Sequence, residues 1–478
     1  MDILAYTAEI KGNEVLFACS DRRTILTSNW SDAITYLLEP CYYAVVTHID
    51  KFTDAFMSLL PSKAKAEIET TDKVRLDNGE KIFYSSGRQL SIGYGFRGNQ
   101  RNEVNIYGLS RYSDKEITEV HELYELWREV VKAYEQFGIT PTALPSPVGV
   151  YEPLLDKVSF ARACDLPHSA DGLLDKLSRE DVAWQEWRAT YKLGFWNENE
   201  VTDLDTNSAY PSFIAKLPDL SNARFYTSKT MPDKYSWGLL EGTLSITKDI
   251  TPFLYVGKIP ALITTGQLRQ LKQYEWGDFE MSNGWFINIP KGYKLPFHDL
   301  MTQFYQVKQT TDNPMVKGIA KDIANGIGGK FNSRYGGKVG RNYQPIYAKM
   351  ITSACKCHVA DFIWSKGLQD KTISVTVDGV LVEGKPNIIS GQGMGEWRIE
   401  PASPFLILSQ LYQWGNSKHP DGHYINEILD MVKTNPKSSI YGDVDFNLLE
   451  YDRKFEKLPK TGGDLLNNHY HSVAPILT

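Results

Sequence analysis

The sequence predicts a multi-domain α/β chain of the α+β kind, and three observations predict it. With 478 residues, it exceeds what one hydrophobic core holds and suits roughly two to four packed units. Strand-like alternation and helix-like spacing both recur, near the start and again beyond Trp184. Hydrophobic content of 42% and charged content of 23% are those of an ordinary soluble globular protein. No window approaches about 18 consecutive apolar residues, so no membrane span is expected. Residues 1–11 carry Asp2 and Glu9 and lack a basic, apolar leader, so no signal peptide is expected either.

An antiparallel hairpin opens the chain, with apolar runs at residues 3–6 and 14–19 around Lys11-Gly12-Asn13. Residues 33–38 read as a helix and 42–46 as a buried strand. Residues 116–136 have apolar side chains at helical spacing, and the Pro-rich 140–153 marks a boundary. Further on, Leu204 leads into Asp205, then Pro211 and a helical 213–217. Residues 236–264 alternate as strands do. Residues 296–308 and 314–331 form a helical hairpin across 309–313. Asp312 or Asn313 serves as its N-cap, with Pro314 at the first helical position. A helix over 347–364 precedes a β-hairpin over 372–382 with Asp378-Gly379 at its turn.

Five scattered cysteines (Cys19, Cys41, Cys164, Cys355, Cys357) argue for a reducing compartment, the cytoplasm, and against a disulfide scaffold. Cys355, Cys357 and His358 have no second Cys/His pair at zinc spacing, so a packed helix is expected there. The net charge of −6 gives no global basic signature, yet a cleft can be basic inside an acidic surface. Twenty-seven tyrosines and 11 tryptophans suit stacking surfaces as readily as a core.

Three separated segments carry chemistry together. The first is Asp205-Thr206-Asn207-Ser208-Ala209-Tyr210-Pro211-Ser212, and the third is Ser374-Val375-Thr376-Val377-Asp378-Gly379. Each places a carboxylate at the end or bend of an apolar strand. Nucleotidyl transfer needs two divalent metals bridged by rigidly held carboxylates, and Asp205 and Asp378, helped by the Thr206 carbonyl, supply the oxygen ligands that Mg²⁺ demands. The middle segment runs from Lys321 to Phe331. At about 100° per residue, Lys317, Lys321, Asn325 and Gly328 share a helix face, and Lys308 comes from the helix before. Converging lysines suit a triphosphate, whose transfer is mostly charge stabilisation and alignment. Gly318, Gly326, Gly328 and Gly329 each cost about 1 kcal/mol inside a helix, which points to close approach by a base pair. The bland alternative is a Gly-rich helix end.

These segments resemble motifs A, B and C of family B DNA polymerases. The family pattern D-x-x-S-L-Y-P-S is here D-T-N-S-A-Y-P-S. K-x-x-x-N-S-x-Y-G becomes K-D-I-A-N-G-I-G-G, and Y-x-D-T-D-S becomes S-V-T-V-D-G, with Thr376 in place of the first Asp. The branch most similar is that of protein-primed polymerases of phages and linear plasmids. Tyr191-Lys192-Leu193-Gly194-Phe195 resembles its Y-x-G-G template-strand motif. The resemblance implies a right-hand polymerase with palm, fingers and thumb, preceded by an RNase H-like exonuclease-type domain. It implies two Mg²⁺ ions, with Mn²⁺ as a substitute. Tyr210 would lie under the incoming sugar and exclude a 2′-hydroxyl. Lys308, Lys317, Lys321 and Asn325 would bind the nucleotide; Tyr191, Gly194, Phe195, Gly328, Gly329, Lys330 and Tyr412 would contact DNA. Gln410-Leu411-Tyr412 stands where the thumb K-x-Y motif belongs, without its Lys. A competing motif C at residues 441–446 lacks flanking buried strands and falls where a thumb is expected.

The implied division is 1–150 exonuclease-like, 151–183 linker, 184–294 first palm part, 295–340 fingers, 341–400 second palm part and 401–478 thumb. The exonuclease's D-x-E reads Thr7-Ala8-Glu9, its second Asp shifts to Asp54, and Tyr112 with Glu116 stands for Y-x-x-x-D. Glu116 also fits a capping box with Ser113. A proofreading-dead domain is expected. The interval between Phe331 and Ile373 is short for this branch, which leaves strand displacement and protein priming open. Expected partners are primer-template DNA, dNTPs and, as an open option, a terminal protein or other phage replication proteins, with no membrane and a monomeric chain. The alternatives are a catalytically impaired nucleic-acid-binding factor and a primase-like polymerase that accepts ribonucleotides.

Overall fold

The computed structural model describes residues 4–38, 43–46, 48–71, 73–76, 81–85, 89–93, 103–109, 117, 119–139, 153–178, 185–335, 338–407, 413–415, 425–426, 429–430, 469–471 and 476–477. The chain divides into two compact units, Met1–Asp156 with Gln306–Ile323, and Lys157–Tyr305 with Ala324–Thr478.

Alternating side chains build the first unit's sheet, because residues two apart share a face and bury together. Its strands are β1 (Leu4–Lys11), β2 (Glu14–Cys19), β3 (Thr24–Thr27), β4 (Tyr43–Val46), β5 (Lys73–Arg75), β6 (Lys81–Ser85), β7 (Gln89–Gly93) and β8 (Glu103–Gly108). They order as β3-β2-β1-β4-β8-β7-β6-β5. The β1–β2 hairpin turns at Gly12, whose φ of 66° favours glycine. β4 runs parallel to β1 and β8 parallel to β4. An antiparallel meander continued by parallel strands is the sheet expected of an RNase H-like domain. Tyr6, Phe17, Phe52 and Phe56 fill its core. The helix Val120–Glu135 buries Leu123, Leu126, Trp127 and Val130 at helical spacing. It starts four residues later than the sequence spacing suggests.

The second unit holds β9 (Arg188–Thr190), β10 (Lys192–Trp196), β11 (Val201–Thr206), β12 (Arg224–Ser228), β13 (Trp237–Ile246), β14 (Val256–Thr264) and β15 (Gly277–Asn288). β16 (Arg334–Tyr335) and β17 (Lys338–Val339) pair with each other. Then come β18 (Thr372–Thr376), β19 (Gly379–Glu383), β20 (Trp397–Ile399), β21 (Phe405–Ile407), β22 (Gln413–Trp414), β23 (Tyr470–His471) and β24 (Ile476–Leu477). One sheet orders β20-β11-β19-β18-β9, a second β12-β15-β13-β14-β24 and a third β22-β21-β10-β23. The helix Pro345–Ser365 is buried on most of its circumference, with Val359, Ala360, Phe362 and Ile363 in the same core as Trp187, Leu204 and Val380.

Two helices, His298–Thr310 and Pro314–Lys330, follow one another where the sequence predicts a helical hairpin. Asn313, rather than Asp312, caps the second: its Oδ1 accepts the Met315 and Val316 N–H groups at 2.9 and 3.3 Å. Among the described residues, no helix is long and apolar enough to cross a membrane.

Candidate active site

Along β11 the pleat sends Leu204 into the core and leaves Asp203 and Asp205 on the opposite face. The strand ends where Ser208 takes a left-handed conformation, φ 52° and ψ 53°, and starts the short helix Ala209–Ile214. Tyr210 is therefore the second residue of that helix, five positions after Asp205. Asn207 clamps this bend: its Nδ2 donates to Tyr305 Oη at 3.1 Å and to the Gln392 carbonyl at 2.9 Å.

Asp378 reaches the same place from the β18–β19 hairpin. Here the sequence reading needs correction. Thr376 pairs directly with Gly379, so the turn residues are Val377 and Asp378, not Asp378 and Gly379. Val377 has a φ of 68°, an outlier for a β-branched residue. The conformation persists because every backbone polar group of the turn is engaged. Val377 N–H donates to the Trp187 carbonyl at 2.9 Å, and Asp378 N–H to the Thr376 carbonyl at 2.9 Å. Cys355 Sγ donates to the Val377 carbonyl at 3.4 Å. The Thr206 N–H donates to the Asp378 carbonyl at 3.1 Å. Local strain is held by surrounding structure, a pattern common at functional sites. The last of these bonds joins the two candidate catalytic segments backbone to backbone. Asp205 lies opposite Gly379, whose added Cβ would stand 3.8 Å from Asp205 Oδ1.

The donor set fits Mg²⁺ or Mn²⁺. One carboxylate on β11, one in the adjoining β18–β19 turn and a main-chain carbonyl at Thr206 are all hard oxygens, and such ions complete their shell with water and substrate phosphate. Among the described residues there is no group of three or more His, Cys, Asp or Glu disposed to hold a metal. Asp205 has a cationic neighbour: Arg398, opposite it on β20, donates to Asp205 Oδ2 at 2.9 Å and meets Glu400 Oε1 at 2.5 Å. Burial pushes Asp203 up to about 7, and the charges of Asp205 and Glu400 add to the effect while Arg398 opposes it. Burial also raises the Tyr210 phenol and the Cys355 thiol far above their ordinary ranges, and pushes Lys356 down to about 8.

The remaining candidates fall as follows. Lys317, Lys321 and Asn325 are exposed on one face of Pro314–Lys330, opposite buried Val316, Ile319, Ile323 and Ile327, while Lys308 is half-buried on the preceding helix. A Cβ added at Gly318 or Gly329 would meet nothing within 4 Å, so packing does not demand glycine there. Gly328 is buried and Lys330 is 5% exposed. Tyr191 sits in the core with its hydroxyl enclosed, whereas Gly194 and half-buried Phe195 lie on β10. Tyr412 falls outside the described residues, as do Tyr112, Glu116 and the competing motif at 441–446. In the first unit, Thr7, Glu9, His48, Lys51 and His121 line a cleft of about 650 Å³. Asp54 is exposed on the helix Ile49–Ser58.

Sequence reasoning missed Glu186, Asp203, Arg398 and Glu400. Two signals were present: Asp203 and Asp205, and likewise Arg398 and Glu400, stand two residues apart and so share a strand face. Nothing near Glu186 marks it.

The solved structures with this architecture are informative. Phi29 DNA polymerase in an orthorhombic crystal form matches with a TM-score of 0.55 at 15% identity, over 88% of each chain. Its complex with primer-template DNA gives 0.58 at 14% over 86% of each. The ternary complex with incoming nucleotides gives 0.54 at 13%, over 87% of this chain and 86% of that one. This chain shares the polymerase fold. At such identities the likeness is one of fold. No protein-family profile matches the chain, nor does any curated protein.

Proposed function

We propose that the chain is a template-directed DNA polymerase that adds deoxynucleotides to a primer 3′-hydroxyl by two-metal phosphoryl transfer. The observation that carries this reading is the junction of Asp205 and Asp378 through the Thr206 N–H, inside a fold shared with phi29 DNA polymerase. Asp205, Asp378 and the Thr206 carbonyl would hold the ions. Bound Mg²⁺ supplies the means to lower the pKa of the attacking hydroxyl and to stabilise the charge of the leaving pyrophosphate. The chain's own residues do the aligning. The Val377–Asp378 turn fixes one carboxylate, and β11 fixes the other. Tyr210 borders the site beside them and excludes a 2′-hydroxyl. Lys308, Lys317 and Lys321 would bind the nucleotide's triphosphate and Asn325 the nucleotide, and primer-template DNA is the polymer substrate, as in the complexes of the structural neighbour. The first unit lacks proofreading on this reading, because Thr7 stands where the exonuclease's leading Asp belongs.

Primer extension with Mg²⁺ tests the proposal. Asp205→Asn and Asp378→Asn each abolish extension, by a factor of roughly 10³ or more, while DNA binding by gel shift persists. Wild-type rates in either variant reject the site. A second reading, a catalytically impaired DNA-binding factor, draws on the Arg398–Asp205 ion pair, which places a cation against a metal ligand. DNA binding by the wild type without any extension would favour it.

A further inference from the structure

A largely enclosed phenol needs a hydrogen-bond partner, and the partner it finds decides where its ring stands. Tyr210 finds one on a distant segment: its hydroxyl donates to Glu186 Oε1 at 2.8 Å. Glu186 is held in turn from its other oxygen. Arg188 Nε and Nη2 donate to Glu186 Oε2 at 3.2 and 3.0 Å. Arg188 opens β9 and pairs with Thr376, the last residue before the catalytic turn. Between the two, Trp187 accepts the Val377 N–H. Each oxygen of one carboxylate thus has a fixed neighbour, and the segment that bears it is sewn to the hairpin that carries Asp378. Burial, with the Glu186 charge adding to it, keeps the phenol protonated and therefore a donor throughout the neutral range.

We propose that Glu186 is a positioning residue for the Tyr210 ring, and through that ring a determinant of deoxyribose over ribose at the incoming-nucleotide site. The assignment rests on the polymerase reading and goes beyond it, because no feature of the three motifs points to residue 186. Its physical content is simple. A ring that is merely packed can tilt within its rotamer well, whereas a hydrogen bond to an ionised acceptor is short and roughly twice as strong as a neutral one. Exclusion of a hydroxyl from a sugar depends on that ring not yielding. Because Glu186 is tied to Trp187 and Arg188, the ring is referenced to the Val377–Asp378 turn rather than only to its own short helix.

The test is single-nucleotide incorporation opposite a defined template base, comparing dNTP with the matching rNTP for wild type, Glu186→Ala, Glu186→Gln, Tyr210→Phe and the double variant Glu186→Ala/Tyr210→Phe. Glu186→Ala is expected to lose roughly tenfold in the dNTP-to-rNTP ratio of kcat/KM, with the change in the rNTP KM and the dNTP kcat little altered. Glu186→Gln, which still offers an oxygen to the phenol, retains most of the ratio. Tyr210→Phe cuts the same bond from the other side by removing one atom, so it reports even where Glu186→Ala folds poorly. The double variant is expected to lose no more than either single one, as two ends of one interaction do. Wild-type extension with an unmoved ratio in Glu186→Ala and Tyr210→Phe overturns the assignment alone, and so do additive losses in the double variant. A wild-type protein that extends no primer overturns the polymerase reading and this assignment with it.

Discussion

Lys356 allows a stability prediction worked from the structure. It lies in the helix Pro345–Ser365 at 9% exposure, where burial pulls its pKa from 10.5 down to about 8 against the opposing pull of Cys357, Cys355 and Glu186. The fall of about 2.5, at 1.36 kcal/mol for each, makes a cost of about 3 kcal/mol for folding with the ammonium charged. The sign follows from the unfolded chain binding the proton more tightly than the folded one. Below pH 8 both states are charged and the full cost is present; between pH 8 and 10.5 the folded state is neutral and the cost fades. Met has a similar length and no charge, so Lys356→Met keeps the packing and removes the cost. The variant is expected to be about 3 kcal/mol more stable at pH 7, with the advantage shrinking by roughly half at pH 9.5. Denaturant unfolding, followed by fluorescence of Trp187, Trp276 and Trp397 in the same core, measures both values. A variant less stable than wild type at pH 7, or an advantage that does not shrink with pH, refutes the reasoning.

Two further predictions concern the strands that carry the candidate site. Gly379→Ala puts a Cβ 2.9 Å from Thr376 Oγ1, so the Thr376 side chain across the hairpin must move, while the Leu204 carbonyl at 3.4 Å stays at ordinary contact. About 1–2 kcal/mol of stability is expected to go, together with most of the primer-extension rate; a thermal midpoint and rate equal to wild type would show that the contact yields without cost. Arg398→Met removes the cation beside Asp205 Oδ2 and is expected to tighten Mn²⁺ binding roughly tenfold, read by electron paramagnetic resonance of the unbound ion. Weaker binding would mean that the guanidinium orients the carboxylate rather than competing with the metal.

What the sequence made legible was whatever depends on local pattern. Lys11-Gly12-Asn13 marked the first hairpin, Asn313-Pro314 the start of a helix, and the apolar runs either side of residue 378 a second hairpin. Asp205 and Asp378 stood out because each interrupts or ends an apolar strand. The turn itself was misplaced by one residue for a clear reason. An Asp-Gly pair favours the two central turn positions, but Gly379 is drawn into the ladder with Thr376 and Asp205, which forces Val377 into the positive-φ position. Contacts from Trp187, Cys355 and Thr206, all remote in sequence, override the local preference. Glu186, and the pairing of Arg398 with Asp205, were invisible for the same reason. Their partners, Tyr210 and Asp205, lie 24 and 193 residues away, and spacing within a strand or helix cannot report them.

The fully engaged turn at Val377 and Asp378 leaves this part of the molecule with a single length that works. One residue added to or removed from the start of β19 would send the following side chains of that strand to the opposite face of the sheet. Val380 and Val382 would leave the core, and the main-chain carbonyl at 378 would lose the Thr206 N–H that ties the turn to β11. Variation here must proceed by replacement rather than by insertion or deletion, and a circularly permuted or domain-inserted form should tolerate a break almost anywhere sooner than between Trp187 and Thr206 or within that hairpin.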